Sequence, residues 1–518
     1  MPAPNTVLIN PPNPRGYVSN KDSMGGFGQL YPAGAPPFPP LDMPYLAATL
    51  TSEGHSVAVV EAGALRLSEE AALDAVASAV ESGSLCVVRT SLPTIDVDLA
   101  FCSRLRSRTP EARVVLYGPV TSPLFWRIQQ EPAVDVVVFG EADQQVLDLA
   151  RGTALASVPG IAWRDGTGWR SNSPRKAERE LDKLPFPQWD LFPCDRYVVP
   201  PSSVTGSMRF LPMLSSRGCP FGCNYCPYPV GQGLLWRYRS PANVVDELEH
   251  LVRDLKVEFV IFRDPLFSAN KKRVVDICEE ITRRGIQVQW RCETRIDCLD
   301  ETTIAAMARA GCTGVNFGVE STDPQVQKNV ERKPITETQF LETVAEFQRH
   351  RIATFAFFVI GLPGDTIDTI LASIRFATRL NASWIQFTVA TPFIGTRLHD
   401  WASGLGLVAR DHYRIISSHE GSIGNENLSP AQVHRLHRFA QILQHNFINR
   451  RGILKNEHRQ DLVYRMARRA ANLMFGWAGG AFYQAGSLVL RATMRGTRRG
   501  GATLVAPTST PEPNRSSG

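Results

Sequence analysis

The chain has 518 residues, of which 43% are hydrophobic and 20% charged, and its formal net charge is +6. This length predicts about three domains, and the composition is that of an ordinary globular protein with a sizeable core. The small net charge, without any nucleic-acid motif, excludes a DNA- or RNA-binding protein. The start of the chain, MPAPN, shows no signal peptide. Most of the ten cysteines are scattered singly, which predicts a reducing, cytoplasmic compartment and no disulfide framework.

Apolar strands alternate with helices in the first third of the chain. The predicted strands are residues 6–10, 56–61, 85–89, 113–117 and 134–139, with a Gly/Pro-rich loop at 13–40 and a helix at 42–54. This alternation predicts an α/β fold with an open, doubly wound parallel sheet of the Rossmann type. Ligands of such sheets bind beyond the carboxyl ends of the strands. The candidate residues at those ends are Asn10, Thr90, Ser91, Gly118, Gly140 and Glu141.

A second run of strand–helix units occupies residues 206–407. The predicted strands are 259–263, 288–291, 314–318, 354–360 and 384–389, and the predicted helices are 242–255, 271–284, 301–310, 337–349 and 366–380. Residues 213–216 add a first strand, which makes six units and predicts a partial (β/α)6 barrel. Chemistry in parallel barrels gathers at the carboxyl ends of the strands.

Three cysteines, Cys219, Cys223 and Cys226, lie in the segment RGCPFGCNYC that follows this first barrel strand. Thiolates are soft ligands that suit iron–sulfur clusters. Three of them would leave one iron of a four-iron cluster open to another ligand. The alternative is a structural zinc site, but such a site usually takes four ligands, and no fourth Cys or His lies nearby in the sequence.

The spacing of this segment, with Tyr225 before the third cysteine, resembles the CxxxCxxC signature of radical S-adenosylmethionine (SAM) enzymes. The resemblance implies a [4Fe–4S] cluster whose open iron binds SAM, and cleavage of SAM to a 5′-deoxyadenosyl radical. It also implies a low-potential electron donor such as ferredoxin or flavodoxin.

Candidate SAM-side residues follow the later barrel strands: Arg263, Asp264, Glu293, Arg295, Glu320, Ser321 and Gly361. The segment from Gly318 to Ser321 resembles the family segment that contacts the SAM ribose and amino-acid moiety, and GLPGD at 361–365 resembles the family turn beside the adenine. For a single residue such as Glu320 or Asp264, a helix cap or an ion pair is the competing interpretation. Cys292 and Cys298 are interpreted as packing residues, with extra cluster or substrate ligation as the alternative.

The first domain resembles the cobalamin-binding domain that precedes the barrel in many radical SAM enzymes. The similarity rests on the Pro39–Leu41 and Tyr45–Ala47 segments, the Gly118–Pro119 turn and the sequence FGE at 139–141. The motif DxHxxG, which supplies a histidine ligand to cobalt, is absent, and Val120 stands where relatives often have a histidine. The resemblance therefore implies cobalamin without a protein His ligand. A domain that kept the fold and lost the cofactor is the alternative.

The predicted domains are 1–155, a linker at 156–205, the barrel at 206–407, a helical region at 408–499 and a disordered tail at 500–518. The linker contains a predicted hairpin at 158–168 and a proline-rich connector at 184–190. Residues 412–424 look irregular, a helix is predicted at 429–449 and a basic helical stretch at 461–469. Residues 470–490 carry no charge but contain four glycines, so packing is favoured over spanning a bilayer, and weak membrane contact remains an alternative.

The resemblance implies a cobalamin-dependent radical SAM methyltransferase that moves a methyl group from SAM through methylcobalamin to an unactivated carbon of a small molecule. One SAM generates the radical and a second methylates the cobalamin. The alternatives are a non-methylating cyclase or rearrangement enzyme, action on a membrane-resident lipid-like substrate, and a cluster-bearing sensor without turnover. The substrate itself is not readable from the sequence.

Overall fold

The computed structural model describes residues 6–198, 208–408, 413, 423–449 and 462–495. The strands of the first part are β1 (Thr6–Asn10), β2 (Tyr17–Asn20), β3 (Gln29–Pro32), β4 (Val57–Glu61), β5 (Leu85–Arg89), β6 (Arg113–Tyr117), β7 (Val136–Val138), β8 (Ile161–Arg164) and β9 (Trp169–Ser171). Its helices are α1 (Asp42–Ser52), α2 (Ala62–Leu65), α3 (Glu69–Ala79), α4 (Ile95–Arg108), α5 (Phe125–Ile128) and α6 (Asp143–Ala150).

Seven of these strands form the first sheet, in the order β4-β1-β5-β6-β7-β8-β9. The five strands from β4 to β7 are parallel, and every residue of β1, β5 and β7 is buried. The sequences of these strands are continuous apolar runs, because helices cover both faces of the sheet. Helices α1 and α6 pack on one face, and α3 and α4 pack on the other. The predicted doubly wound sheet is confirmed.

Residues 13–40 are not one long loop, and this part of the prediction was wrong. Strands β2 and β3 form an antiparallel hairpin there, in which Tyr17 pairs with Pro32 and Asn20 with Gln29. Val18 and Leu30 are the buried apolar side chains of the hairpin. With only these two apolar positions among many glycines and prolines, the sequence lacks the alternating pattern that predicts strands. The hairpin therefore lies beyond the end of β1, where the candidate ligand-binding edge was predicted.

The hairpin predicted at 158–168 is present as β8 and β9, and it continues the first sheet. Strand β8 pairs antiparallel with β7, with Val137 opposite Ala162. The proline-rich connector that follows packs on α1, since the Gln188 N–H donates to the Pro44 carbonyl at 2.9 Å. Trp189 is fully buried in the same core as the inner face of this sheet.

The second sheet has six parallel strands in the order β10-β13-β14-β15-β16-β17. They are β10 (Phe210–Met213), β13 (Phe259–Phe262), β14 (Gln289–Thr294), β15 (Cys312–Glu320), β16 (Ala353–Ile360) and β17 (Trp384–Val389). The two-residue strands β11 (Ser216–Arg217) and β12 (Arg237–Tyr238) pair beside it. Its helices are α7 (Tyr228–Gln232), α8 (Pro241–Arg253), α9 (Lys271–Arg283), α10 (Glu301–Arg309), α11 (Pro324–Asn329), α12 (Glu337–Arg349) and α13 (Ile367–Arg379).

The remaining helices of the described chain are α14 (Arg397–Gly404), α15 (Pro430–Leu443), a π-helical turn at Gln444–Ile448 and α16 (Leu462–Arg495). Ser429 caps α15 and forms a capping box with Gln432. The C-terminal half of α16 packs on α15 and α13. The Tyr483 hydroxyl of α16 donates to the Leu371 carbonyl of α13 at 2.9 Å. No helix in the described ranges is both long and apolar enough to cross a membrane.

The predicted fold class, a doubly wound α/β domain followed by a partial barrel and a helical region, is confirmed. Apart from Tyr413, Ile423 and Gly424, the irregular segment predicted at 412–424 lies outside the described residues, as does the tail predicted at 500–518.

Candidate functional site between the two sheets

The three cysteines occupy the loop between β11 and α7. Cys219, Cys223 and Cys226 are half-buried and none is in a disulfide. Gly218 begins the loop at φ +83°, and a Cβ added there would lie 2.2 Å from the Leu235 carbonyl oxygen. Only glycine fits such a position, so this residue fixes the close approach of the loop to the chain that returns after α7.

The loop is tied to the barrel through Asn224. Its backbone N–H donates to the Val330 carbonyl at 3.3 Å, and its side chain donates to the Asn329 carbonyl at 3.0 Å. Its own carbonyl accepts from the Leu398 N–H at 2.9 Å. The loop position is therefore set by the ends of α11 and α14.

The surroundings of the thiols suit an anionic group. Burial raises the pKa of Cys219, and the backbone N–H groups of Phe221 and Gly222 oppose that rise. Burial also raises the pKa of Cys226, and a hydrogen bond from the Tyr228 N–H opposes that rise. Inward N–H groups stabilise cluster sulfur and thiolate charge. Within the described ranges, no three His, Cys, Asp or Glu side chains converge on a single metal ion. Three free thiols with backbone donors fit a cluster.

Glu320 ends β15 with φ +63°, where the pairing with β16 shifts register. Its carboxylate accepts from Arg332 Nη1 at 3.1 Å. The same nitrogen donates to the Tyr225 hydroxyl at 3.1 Å, and Arg332 Nη2 donates to the Gly318 carbonyl at 2.8 Å. Burial raises the pKa of Glu320, and the guanidinium opposes that rise. Arg332 thus joins the predicted SAM-side carboxylate to the cluster loop.

Arg263 and Glu293, which follow neighbouring strands, form an ion pair at 2.8 Å. The other oxygen of Glu293 accepts from the Tyr228 hydroxyl at 2.9 Å. Arg263 also donates to the Asp22 carbonyl at 3.2 Å, which belongs to the hairpin of the first domain. Because Tyr228 lies two residues after Cys226, this network connects the cluster loop, two barrel strands and the first domain.

Asp264 is fully buried and bonded to the strand that leads into the cluster loop. Its carboxylate accepts from the Ser215 N–H at 2.8 Å, the Ser215 hydroxyl at 2.5 Å and the Ser216 hydroxyl at 2.6 Å. These bonds use three acceptor sites of the carboxylate. Asp264 therefore holds Ser215 and Ser216, the residues that lead into the cluster loop, in position.

Arg295 lies beside the cluster loop. Its guanidinium makes two hydrogen bonds of 2.9 Å with Asp297 and stacks over the Phe221 ring at 4.3 Å. Its Nη1 atom is buried without a hydrogen-bond partner among the described residues. One guanidinium nitrogen thus remains for an anionic ligand near the cysteines.

Ser321 and Gly361 are engaged in local structure. The Ser321 hydroxyl accepts from the Asp323 N–H at 3.2 Å. The Gly361 N–H donates to Asp365 at 3.0 Å, and a Cβ added to Gly361 would lie 2.9 Å from a Val433 methyl group on α15. Close packing against α15 explains this glycine.

The candidate residues at the ends of β1 and β5 are buried. The Asn10 amide donates to Glu61 at 2.8 Å, and burial raises the pKa of Glu61 to about 7 against that hydrogen bond. The Thr90 hydroxyl donates to Asp98 at 2.8 Å, while Ser91 caps the following turn. Asn10 Oδ1 and Glu61 Oε2 have no hydrogen-bond partner within the described ranges.

The ends of β6 and β7 face the barrel. Gly118 has φ +144°, and its Cβ would lie 2.3 Å from the Thr90 carbonyl oxygen. Glu141, just after Gly140, forms an ion pair of 3.0 Å with Arg217 and also contacts Arg237. Burial opposes ionisation here, but these two arginines lower the pKa of Glu141. Glu141 thus joins the first sheet to the cluster strand.

A cavity separates the two sets of strand ends. Its empty volume is about 790 Å³, which includes space open to solvent. Its lining includes Gly118 and Gly140 from the first domain and Tyr228, Gln232 and Arg263 from the barrel side. Tyr117 also lines it and is almost fully buried, and its hydroxyl has no partner among the described residues. Glycine-faced strand ends and a spare donor fit a flat cofactor that carries hydrogen-bond acceptors, such as a corrin.

Several residues of this region are absent from the sequence-based prediction. Tyr228, Arg332 and Tyr117 reach the site through tertiary contacts. Lys21 and Asp98 form a buried ion pair of 3.0 Å beneath it. No spacing rule identifies them, although Tyr117 could have been found as the last residue of a strand that ends in a Gly-Pro turn. Val120, which stands at the histidine position of relatives, is completely buried in the core.

Residues 213–377 match the Radical SAM superfamily. They contain the three cysteines and five of the six barrel strands as whole or partial elements. This part of the chain is a radical SAM domain. A domain of this class holds a [4Fe–4S] cluster and SAM, and the thiols and backbone donors described above fit that cluster.

The similarity to known proteins extends beyond this domain. An uncharacterised methyltransferase of Pyrococcus horikoshii is 29% identical over 411 residues, which cover 78% of this chain and 87% of that protein. The anaerobic magnesium-protoporphyrin IX monomethyl ester cyclase of Rubrivivax gelatinosus is 28% identical over 386 residues, which cover 69% and 65%. The radical SAM methyltransferase TsrM of Kitasatospora setae, solved with cobalamin and a [4Fe–4S] cluster, superposes with a TM-score of 0.62 at 19% identity, covering 79% and 76%.

Proposed function

We propose that the protein is a cobalamin-dependent methyltransferase that transfers a methyl group from SAM to an unactivated carbon of a small molecule. The observation that carries the proposal is the cavity between the two sets of strand ends. Arg217 and Tyr228, which flank the cluster loop, line one side of it, and the Tyr117 hydroxyl, unpartnered among the described residues, lines the other. Bound there, a corrin would supply the methyl group within reach of a substrate radical generated beside the cluster. The fold it shares with TsrM and the methyltransferase name of one relative support this assignment.

The roles of the side chains follow from their chemistry. Cys219, Cys223 and Cys226 would hold the cluster through three thiolates. Glu320, fixed by Arg332, would accept hydrogen bonds from the SAM ammonium or ribose, where a charged acceptor is strongest. The remaining work of the chain is to position the reactants and exclude water.

The first-domain residues would hold the corrin without supplying a ligand to cobalt. Val120 is fully enclosed in the core, so the position at which relatives often have a histidine does not face the cavity. Gly118, Gly140 and Tyr117 would instead present backbone and one hydroxyl to the ring and its amides. Asn10, Thr90 and Ser91 would set the strand ends on which it lies.

The deciding experiment is anaerobic reconstitution, with iron, sulfide and corrin content and product analysis after addition of SAM and reductant. The proposal expects about four irons, bound corrin, and both 5′-deoxyadenosine and S-adenosylhomocysteine. Iron and 5′-deoxyadenosine without corrin would leave a radical SAM enzyme and overturn the methyltransferase assignment.

Corrin affinity tests the cavity directly. Tyr117→Phe removes the spare hydroxyl and should weaken corrin binding, followed by visible absorbance, by about tenfold, the size of one hydrogen bond. Tyr197→Phe is the matched control, because the Tyr197 hydroxyl is also buried without a partner among the described residues but does not line the cavity. Equal affinity in both variants would remove Tyr117 from the corrin site.

A second candidate is a radical cyclase that makes no methyl transfer, because a relative covering 69% of this chain is named a cyclase. Such an enzyme would release 5′-deoxyadenosine without S-adenosylhomocysteine, so the same product analysis separates the two. A lipid-like substrate is favoured if the apolar positions of α16 that are exposed, Leu488 and Val489, contact a bilayer.

A further inference from the structure

The barrel has a second cavity at the end opposite to the cysteine loop, and we call it the amino-end cavity. Residues that precede or begin the strands from β13 to β17 line it, among them Glu258, Gln289, Thr313, Ala353 and Ser383. Its empty volume is about 2300 Å³, which includes space open to solvent. In parallel barrels the chemistry gathers at the other end of the strands. The amino-end cavity is therefore separate from the site described above.

One charged side chain, Arg291 of β14, lies inside the barrel at this cavity. Residues of β14 alternate between half-buried and buried. The buried Trp290 and Cys292 belong to the apolar core outside the barrel strands, so Arg291 points the other way, into the barrel. Its guanidinium carbon lies 5.3 Å from the centre of the Phe259 ring and 4.5 Å from that of the Phe355 ring. These rings come from β13 and β16, on either side of β14, so Arg291 reaches across the interior.

The neighbouring strand makes room for Arg291. The pairing of β14 with β15 shifts register between Trp290 and Arg291, and such irregularities redirect side chains and are common beside functional sites. Arg291 lies opposite Gly314 in this pairing. A Cβ added to Gly314 would lie 2.8 Å from Arg291 Nε and 3.0 Å from Arg291 Cδ. Gly314 does not have a left-handed φ, so this glycine supplies space for the arginine and not a special backbone conformation.

The positive charge of Arg291 is not compensated by the part of the chain that the structure describes. Its Nε atom is buried there without a hydrogen-bond partner, and burial lowers the pKa of the guanidinium with no carboxylate to oppose that change. Two other buried arginines of the barrel, Arg263 and Arg332, instead pair with Glu293 and Glu320. The aromatic rings stabilise the cation of Arg291, but they satisfy none of its five N–H donors in full.

The rim of the amino-end cavity is also positive. Arg351 is exposed there, and among the described residues it has no carboxylate within ion-pair distance. The one acidic residue of the described lining is Glu258, whose carboxylate accepts from the Arg209 N–H at 3.2 Å. Two arginines against one carboxylate give the cavity a positive potential, which attracts small anions.

We propose that the amino-end cavity binds a small molecule with an oxyanion group, a carboxylate or a phosphate, which Arg291 holds. The rings of Phe259 and Phe355 lie against the guanidinium, so the ligand meets its remaining side, where adjacent N–H groups bond two oxygens of one oxyanion. Val288 and Ile352 in the lining offer contacts to an apolar body. The site lies at the other end of the barrel from the cysteines, so this inference does not rest on the proposed methyl transfer.

The test measures anion binding by the intact, reconstituted protein without SAM or reductant, at constant ionic strength. The probes are benzoate, its neutral analogue benzamide, and inorganic phosphate. Arg291→Gln removes the guanidinium, and Arg291→Lys keeps the charge but not the paired N–H groups. Arg309→Gln is the matched control, because Arg309 is an exposed arginine of α10 that does not line this cavity. Ligand-detected NMR gives the affinities, and iron content shows that each variant is folded.

We expect Arg291→Gln to weaken benzoate binding by at least about tenfold, the size of a lost hydrogen bond to a charged group. Arg291→Lys should lose less than Arg291→Gln, and Arg309→Gln should bind as the wild type does. Benzamide should bind the wild type more weakly than benzoate and should not distinguish the variants. The bound anion should also raise the wild-type Tm by mass action. Tighter binding of phosphate than of benzoate would assign the oxyanion as a phosphate, and the reverse as a carboxylate.

Three results would overturn the proposal. Failure of the wild type to bind either anion would show that the cavity is closed or filled in the intact chain. Equal benzoate affinity in the wild type and Arg291→Gln would place the anion elsewhere. Equal affinity of the wild type for benzoate and benzamide would leave an apolar cavity in which Arg291 only fills space. Absence of methyl transfer is a separate outcome, because the binding assay contains neither SAM nor reductant.

Discussion

At the scale of single residues, the cysteines differ in their surroundings. Cys86, Cys102, Cys278, Cys292 and Cys312 are buried, whereas the three motif cysteines are half-buried on a loop. Cys292 lies in the same core as its neighbours on the barrel strands, which agrees with its interpretation as a packing residue. Cys298 is half-buried at the end of the turn Ile296–Cys298.

We predict that Cys226→Ala loses the cluster, because two thiolates cannot replace three. Iron content and visible absorbance after reconstitution should fall to background, and SAM cleavage should stop. Cys298→Ala should keep both. Loss of iron in Cys298→Ala would make Cys298 a cluster ligand and would revive the alternative left open by the sequence.

The buried pair Asn10 and Glu61 predicts a pH dependence of stability. Burial raises the pKa of Glu61 from 4.5 to about 7, against hydrogen bonds from Asn10 and the Ala64 N–H. Between about pH 4.5 and pH 7, Glu61 is therefore protonated in the folded state but has lost its proton in the unfolded state. The free energy of unfolding should fall as the pH rises from about 4.5 to about 7, by at most about 3 kcal/mol for this group.

Glu61→Gln should flatten this slope in thermal unfolding, since glutamine does not titrate. Some slope should remain, because burial also raises the pKa of Asp365 to about 7. Glu81→Gln, at an exposed position, should leave the slope unchanged. An unaltered slope in Glu61→Gln would show that Glu61 is ionised in the folded protein throughout this range.

At the scale of elements, the cysteine loop depends on the backbone conformation of one glycine. Gly218→Ala would place a methyl group 2.2 Å from the Leu235 carbonyl oxygen at φ +83°, so the loop must move. Gly233→Ala has the same strain at φ +77° but meets no atom within 4 Å. We expect Gly218→Ala to lose the cluster, and Gly233→Ala to keep it at a cost of about 1 kcal/mol.

Iron content after reconstitution separates these two glycine variants, with thermal unfolding as the measure of the backbone cost. A full complement of iron in Gly218→Ala would mean that the backbone around Leu235 moves enough to accommodate the added methyl group.

Most elements were predictable because their signals are local. The helix at 337–349 and the strand at 384–389 were predicted at the residues where the structure has them, since each has a clear apolar period and a capping residue or turn at its end. The hairpin of β2 and β3 was missed. It is held by contacts with residues distant in sequence, such as the buried ion pair of Lys21 with Asp98, and no local pattern encodes such contacts.

The candidate site was predictable only in part, for a similar reason. The strand-end rule collects Arg263, Glu293 and Glu320 on one edge of the barrel from sequence alone. The rule does not reveal which charged side chains form ion pairs. Arg332, the partner of Glu320, lies 12 positions later, in the loop after α11. The roles predicted for these residues remain predictions that the experiments above address.

At the scale of the whole molecule, Arg217 links the two sheets. It is buried between Glu141, at 3.0 Å, and Asp143, at 2.8 Å. Glu141 keeps Arg237 if Arg217 is removed, but Asp143 would lose its cation. Arg217→Ala should therefore destabilise the docked domains by about 3 kcal/mol, measured by thermal unfolding and by faster proteolysis in the connector at 184–190.

Arg170→Ala is the control for the domain link, because the Arg170 ion pair with Asp165 lies on the exposed hairpin of the first sheet. This variant should show no measurable change. Equal proteolysis of both variants would show that apolar contacts, such as Phe27 with Phe393 at 5.8 Å, hold the domains together without Arg217.

The pairing of early and late residues has a consequence for synthesis on the ribosome. The Tyr45 hydroxyl of α1 bonds to Glu247, 202 positions later in the chain. At 5–20 residues per second, roughly 10–40 s separate their appearance. Until Glu247 and the barrel strands have been synthesised, the strand ends of the first domain, with the Tyr117 hydroxyl among them, are not covered by the barrel. A cofactor bound at that edge could enter from the open side during translation, and after the barrel docks it would have to leave through the narrow cavity.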